Sequence, residues 1–344
     1  NMSRSSRIVV LTDLHIRSDY IPGYLETQLA TLTRLVNRKP ADAVIINGDI
    51  FHRRNPRGKE LLAFRQLLEG FKVKDIVINR GNHDTVAKDG STHTTLSLYK
   101  DIATVCEDVQ TVRLCGVDFD FIPHFEDERD IIKHLKKSKN HRFGHFGFDG
   151  CVSNGWYEYE SYVKRRHFNK DKLSFLGHIH KPKVYGGHIY VLGTQYSTGF
   201  GEANTQKYVH ELIIRDGEME VVRKTVDFGI RHVLCGIHEL AEYNKRYSFK
   251  DFFTILRLKL DHLDAGCELM LKEEVVSKYT LAHLEISFDD ILPKHSSSFI
   301  PEKDGISISD TIIRQYVDSS TSVFSKADLF NSLEEIRLHE NKQN

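Results

Sequence analysis

Asp13, His15, Asp49, Asn82, His145, His178 and His180 are seven oxygen or nitrogen donors, and all of them cluster just after short apolar runs. Ile8-Val9-Val10-Leu11-Thr12 ends in Asp13-Leu14-His15, and Ala43-Val44-Ile45-Ile46 leads through Asn47-Gly48 to Asp49. Asp75-Ile76-Val77-Ile78-Asn79 leads to Gly81-Asn82-His83-Asp84, and Phe143-Gly144 leads to His145. Leu173-Ser174-Phe175-Leu176 leads to Gly177-His178-Ile179-His180. No thiolate is among these donors, so the set suits borderline-hard divalent ions such as manganese, iron or zinc. Seven donors are too many for one ion and about right for two ions that share a carboxylate. Such a pair clamps a phosphoryl group and lowers the pKa of a water between the ions. Taken singly, Asp13 or Asn82 reads as a turn or helix-cap residue. Five run ends that coincide in ligand types favour metal-assisted hydrolysis of a phosphate ester.

The runs are short and continuous, as in strands buried on both faces of a sheet. In open α/β sheets, ligands and ions gather at the C-terminal rim of such strands. Asp13 and Asp49 lie 36 residues apart, Asp49 and Asn82 33, and His145 and His178 33. A strand with its return crossover takes about 30 residues or more, so these steps read as single β-α-β units. Between Asn82 and His145 the step is 63 residues, which calls for an insertion. A hairpin-like pair over 111–114 and 117–122, turning at Cys115-Gly116, supplies it. Apolar residues at helical spacing predict helices over 25–36 and 58–71. Strands over 190–193 and 208–223, the latter with an Asp216-Gly217 turn, are expected to close the core in antiparallel pairing.

Beyond residue 228 the pattern changes. A strand over 252–260, a helix over 264–278 and a strand over 283–288 make a small α+β unit. Residues 293–305 are rich in Ser and Pro and read as a linker. Two short amphipathic helices follow. One carries Ile312, Ile313, Tyr316 and Val317, the other Leu329, Phe330, Leu333 and Ile336 behind a Ser325 cap. The expected domains are therefore 1–228, 229–292, a linker over 293–305, and a helical segment over 306–344.

The 344 residues carry no formal net charge, so no overall basic field gathers nucleic acid. Five scattered cysteines without C-x-x-C spacing read as reduced thiols, and a cytoplasmic location is expected. No run reaches membrane length, and no membrane contact is expected. Arg53, Arg54 and Arg57 follow Asp49 directly and suit the tracking of phosphates. The basic clusters over 133–139 and 164–172 read mainly as solvated faces.

Asp-Leu-His, Gly-Asp-Ile-Phe-His, Gly-Asn-His-Asp, Gly-His-Phe and Gly-His-Ile-His, in this order, resemble the motifs of calcineurin-like metallophosphoesterases. Phe51-His52, the stretch from Gly177 to Pro182, Leu192-Gly193-Thr194 and Gly199-Phe200-Gly201-Glu202 resemble more closely the nuclease subunits of SbcCD-type DNA double-strand-break repair complexes, in their phage and bacterial forms. This resemblance implies an α/β sandwich core followed by a capping domain and a C-terminal helical hairpin. It implies Asp13, His15 and His180 on one ion, Asn82, His145 and His178 on the other, and Asp49 bridging two divalent ions, most readily Mn2+. It makes His83 a catalytic histidine that is not a ligand, and His52 a residue that places the substrate end. The activity implied is exonuclease and endonuclease cleavage of DNA, host-cytoplasmic if the chain is phage-encoded. A stand-alone phosphatase or small-molecule phosphodiesterase is the alternative on the same fold. The partners implied are DNA, a second copy of the chain through 61–71, and an SbcC-type ABC ATPase held by the C-terminal helices.

Helices this short are marginal alone in water, and an apolar face that follows a linker calls for a partner surface. Deleting the residues after Gly305 is expected to leave hydrolysis of a small phosphodiester near normal while abolishing co-purification with the ATPase. Full-affinity ATPase binding by the truncated chain would place those helices in the core instead.

Overall fold

Five of the apolar runs become neighbouring strands in two six-stranded sheets, seen in a computed structural model that describes residues 5–85, 94–153, 157–260 and 268–288. In the first sheet β1 (Ser6–Leu11), β2 (Ala43–Asn47), β3 (Asp75–Asn79) and β4 (Thr104–Cys106) lie side by side and parallel. The hairpin of β11 (Tyr208–Arg215) and β12 (Glu218–Thr225) adds antiparallel strands on the other side of β1. In the second sheet the order is β5 (Gln110–Leu114), β6 (Val117–Ile122), β7 (His141–His145), β8 (Ser174–Gly177), β10 (Ile189–Val191) and β9 (Lys183–Tyr185). Strands β6, β7, β8 and β10 are parallel, and β5 and β9 are antiparallel edges.

Side-chain alternation explains why the runs are apolar throughout. Val9, Leu11, Val44 and Ile46 face Leu32 and Leu35 of α1 (Tyr24–Asn37) and Phe64 and Leu67 of α2 (Gly58–Gly70). Ile8, Val10, Ala43, Ile45 and Val77 face the other way, against Phe119, Phe121, Phe143 and Phe175 of the second sheet. The far face of that sheet packs Ile122, Leu176 and Ile189 on Ile131 and Leu135 of α3 (Glu128–Lys137). Each sheet is thus covered on both sides, which an alternating polar pattern could not satisfy.

Two expectations change. The hairpin over 110–122 is more than an insertion, because β6 pairs in parallel with β7 and adds a strand end to the rim. Strand β10 is parallel to β8, not antiparallel. The chain reverses into β9, reverses again at Gly186 and Gly187 (φ 58° and 74°), and so regains the direction of β8.

A separate parallel sheet is formed by β13 (Ile230–Gly236), β14 (Phe253–Leu260) and β15 (His283–Phe288). The helices α4 (Leu240–Tyr247) and α5 (Glu268–Lys278) lie between its strands in the chain, and Val233, Phe249, Leu256, Leu258 and Val275 fill its core. Sequence periodicity found β14, α5 and β15 but not β13 or α4, since Arg231, His232 and Gly236 interrupt the run. Ile230 and Ile255 pack with Leu25 and Leu32, so this sheet docks on the α1 side of the sandwich. The linker over 293–305 and the helices over 306–344 lie outside the described residues. Among those described, no helix is long and apolar enough to cross a membrane.

A polar seam joins the two sheets just below the rim. Asn47, fully buried, donates from Nδ2 to the carbonyls of Gly144 (2.9 Å) and Phe175 (3.3 Å). Its Oδ1 accepts a hydrogen bond from Asn79 at 2.9 Å. Replacing Asn47 by Ala would remove these three bonds from the interior, at about 1–3 kcal/mol for each group left without a partner. Asn47→Ala is therefore expected to destabilise the chain by about 2–4 kcal/mol in urea unfolding.

Candidate metal centre

Beyond the strand ends the backbone stays laced. Asp13 N donates to Gly48 O (2.9 Å), His15 N to Asp49 O (3.0 Å) and Ile16 N to Ile50 O (2.8 Å). Eight described non-glycine residues have φ between 45° and 81°, and Asp13, His15, Asp49 and His178 are four of them. Left-handed backbone at such residues costs roughly 1–3 kcal/mol each and survives where the surroundings over-determine it, typically at functional sites. Gly48 (φ 88°) is required on two counts, because a Cβ there would also lie 2.2 Å from His145 Nδ1. Gly81 lets its turn press against Asp49, whose backbone N would lie 2.3 Å from a Cβ.

Onto this frame the seven predicted donors converge. Atoms of Asp13, His15 and His180 lie within 4.8 Å of one another, as do those of Asp49, His145 and His178. Asn82 joins the second group, with Oδ1 2.8 Å from His178 Nδ1. Asp49 stands between the groups. Its Oδ1 lies 3.2 Å from His145 Nε2, and its Oδ2 lies 3.8 Å from His15 Nε2. His15, Asp49 and His83 form a third close set.

The ring orientations test whether cations fit. His145 Nδ1 lies 2.6 Å from the carbonyl of Asn47, which can only accept, so Nδ1 carries the proton. Its Nε2, fully buried beside Asp49 and Asp13, is left to hold a second proton or, once that is displaced, to offer its lone pair to a cation. His180 Nδ1 likewise faces the Glu202 carboxylate at 2.6 Å, turning Nε2 inward to 3.1 Å from His15 Nε2. Lone pairs aimed at carboxylates and at each other need positive charge between them. Burial alone would raise the Asp49 carboxyl, yet His145, with His15 and His83, holds it well below the usual range. Burial opposes charge on His145 and His180, but the surrounding carboxylates push them up to about 9 and about 10. The site attracts cations, and divalent ions would displace those protons.

His83 sits at the edge. Its backbone N donates to Asp49 Oδ1 (2.8 Å), and Nδ1 donates to the carbonyl of His52 (2.8 Å), leaving Nε2 unengaged by this bond. His52 stacks edge-on to His15, with ring centroids 5.8 Å apart, and is half-buried. Arg53 and Arg57 both bond Asp19, and Arg54 bonds Thr85, so these cations line the rim but are not free of acidic company.

Two further residues had no role in the sequence reading. Asp84, fully buried, accepts from the backbone N of Gly81 (2.7 Å), Asp49 (2.9 Å) and Ile50 (2.9 Å), and so ties the second and third rim turns together. Its place in Gly-Asn-His-Asp was the available signal. Glu202 orients His180, and also bonds Thr194, Thr198 and Lys207. Only the fold brings it within reach across 22 residues. Carboxylates behind a ligating histidine typically contribute 10–100-fold to metal affinity. Glu202→Gln is expected to weaken Mn2+ binding by about that factor in calorimetric titration. It should also lower the unfolding temperature, because Lys207 loses its buried partner.

The calcineurin-like phosphoesterase profile matches residues 6–182, which hold all seven donors and His83. No curated protein matches in sequence. Solved structures that resemble the chain include an archaeal phosphodiesterase at 13% identity (64% of this chain, 99% of that one, TM-score 0.35). Purple acid phosphatase PPD1 from yellow lupin (Lupinus luteus) seeds matches at 13% identity (65% and 52%, TM-score 0.42). Pseudomonas putida nuclease MPE matches at 18% identity (62% and 87%, TM-score 0.31). Since the profile spans just over half of the 344 residues, this chain belongs to the calcineurin-like phosphoesterase family.

Proposed function

We propose that the chain is a two-metal DNA nuclease, cutting phosphodiester bonds both at ends and internally, and acting as the nuclease subunit of an ATP-regulated repair or recombination complex. The observation that carries this is the juxtaposition of the donor cluster with His83, His52 and the Arg53–Arg57 segment on one rim. Asp13, His15 and His180 would hold one ion, Asn82, His145 and His178 the other, with Asp49 shared. Divalent ions there, most readily Mn2+, would supply Lewis-acid polarisation of a phosphoryl oxygen and acidify a water molecule.

The chain's own residues do the rest. His83, fixed through Nδ1 by the His52 carbonyl, keeps Nε2 to hold or give a proton at the leaving oxygen. His52, beside it, borders the path by which a strand end would enter. Arg53, Arg54 and Arg57 suit phosphates on either side of the cleaved bond, with Asp19 limiting their reach. Exposed Leu62 on α2 and nearby Leu98 suit contact with a second copy of the chain. The segment over 306–344 is proposed to hold the ATPase.

The test sets linear duplex DNA beside bis-4-nitrophenyl phosphate in Mn2+. Turnover of both, lost in a folded Asp49→Ala chain, supports the nuclease. Turnover of the small diester alone selects a phosphodiesterase, and turnover of neither rejects the metal reading. His83→Gln is expected to retain metal binding and to slow cleavage by about two to four orders of magnitude, the usual worth of a positioned proton donor.

A further inference from the structure

His232, on β13 of the small sheet, is fully buried against the sandwich. Its backbone N donates to Ser197 Oγ (2.7 Å), and its Nδ1 lies 2.9 Å from the same oxygen. Nε2 lies 3.1 Å from the Tyr20 hydroxyl, whose ring stacks on the imidazole at 5.9 Å and 13°. Phe200 meets the ring edge-on at 4.9 Å. Burial pushes His232 down to about 4, so the ring is neutral, with one donor and one acceptor nitrogen. Two hydroxyls, each able to donate or accept, complement it in either tautomer.

The two hydroxyls belong to two arms, one that carries His15 and one that orients His180 through Glu202. Ser197 precedes Thr198, whose backbone N and hydroxyl both bond Glu202 Oε1, the oxygen that orients His180. Asn204 continues the clamp, accepting from Leu234 N (3.2 Å) and donating from Nδ2 to Leu234 O (2.7 Å). Tyr20 lies on the other arm, under the Arg17 guanidinium at 4.3 Å. Gln28 ties that arm down, accepting from Arg17 N (3.2 Å) and donating to the carbonyls of Leu14 and His15. The arms meet where His15 Nε2 and His180 Nε2 approach to 3.1 Å.

We propose that His232 is a positioning residue for the site of Asp13, His15 and His180: by bridging Ser197 and Tyr20 it makes the affinity of that site depend on how the 230–288 unit is seated. This rests on the two-metal reading above. Among the described residues, the other site, from Asn82, His145 and His178, has no such tie to His232. Disturbing one imidazole in the small sheet should therefore weaken one ion and spare its neighbour.

The experiment is Mn2+ titration of the full chain, followed by calorimetry and by the electron paramagnetic resonance of free Mn2+. Wild type is expected to take up two ions. His232→Ala and Tyr20→Phe should weaken one by about two- to thirtyfold, the range found for coupling between packed elements, with the other unchanged. His232→Gln, which restores polar partners, should recover much of the loss. Val275→Ala, which opens the small sheet's own core without touching Ser197 or Tyr20, should leave both affinities alone. Phosphodiester turnover should return to the wild-type kcat at saturating Mn2+. Equal weakening of both ions, unchanged affinities in folded variants, or the same loss in Val275→Ala would each overturn the proposal. If His232→Ala does not fold, Tyr20→Phe and His232→Gln decide the matter. A wild-type chain that binds no Mn2+ would overturn the two-metal reading and this inference with it.

Discussion

Asp13 and Asp49 are buried carboxylates on adjacent loops, and no protein interior holds two such charges without positive charge beside them. The rest of the site is arranged around that constraint. Five histidines face the pair or its immediate neighbours, and two of them spend their outer nitrogens on Asn47 and Glu202 so that the inner ones stay available. The left-handed backbone at Asp13, His15, Asp49 and His178 turns the donors inward where a regular strand would carry them away. Asp84 then locks the turns by taking three backbone amides.

Neither sheet could build this centre alone. The first sheet contributes Asp13, His15, Asp49 and Asn82, and the second contributes His145, His178 and His180. Their relative placement is set by the aromatic layer of Phe119, Phe121, Phe143 and Phe175 and by the polar seam, in which Asn47 bonds the carbonyls of Gly144 and Phe175 and Asn79 bonds that of Ile122. A dry apolar interface fixes spacing but not register along the strands. The seam adds directional bonds that do. Stability and site geometry therefore share the same few residues just under the rim.

Around the centre the surface is graded. His83 and His52 stand next to the donors, and the arginines that follow them are partly neutralised by Asp19. On the proposed nuclease reading, phosphates flanking the cleaved bond would compete with Asp19 for the same guanidinium groups. The small parallel sheet adds a second layer of control, because its His232 reaches the loops that carry His15 and orient His180. The proposed nuclease would thus have its chemistry on the sandwich and its adjustment on the appended unit.

The donor set was legible in the sequence because buried strands write themselves as continuous apolar runs, and a ligand placed where a run stops is conspicuous. The seven predicted donors stand at such run ends, His83 is singled out by the family resemblance, and the fold brings all eight residues close together. The parallel pairing of β10 was not legible, since three apolar residues carry no sign of direction and only the double reversal around β9 decides it. Strand β13 was missed because Arg231 and His232 are polar in sequence and become acceptable only once Ser197, Tyr20 and Tyr247 satisfy them. Glu202 and Asp84 follow the same rule. Local periodicity reports which residues must leave water, and it determined the strands and their ends. Which buried polar group bonds which partner depends on contacts across tens to hundreds of residues, and that only the tertiary structure decided.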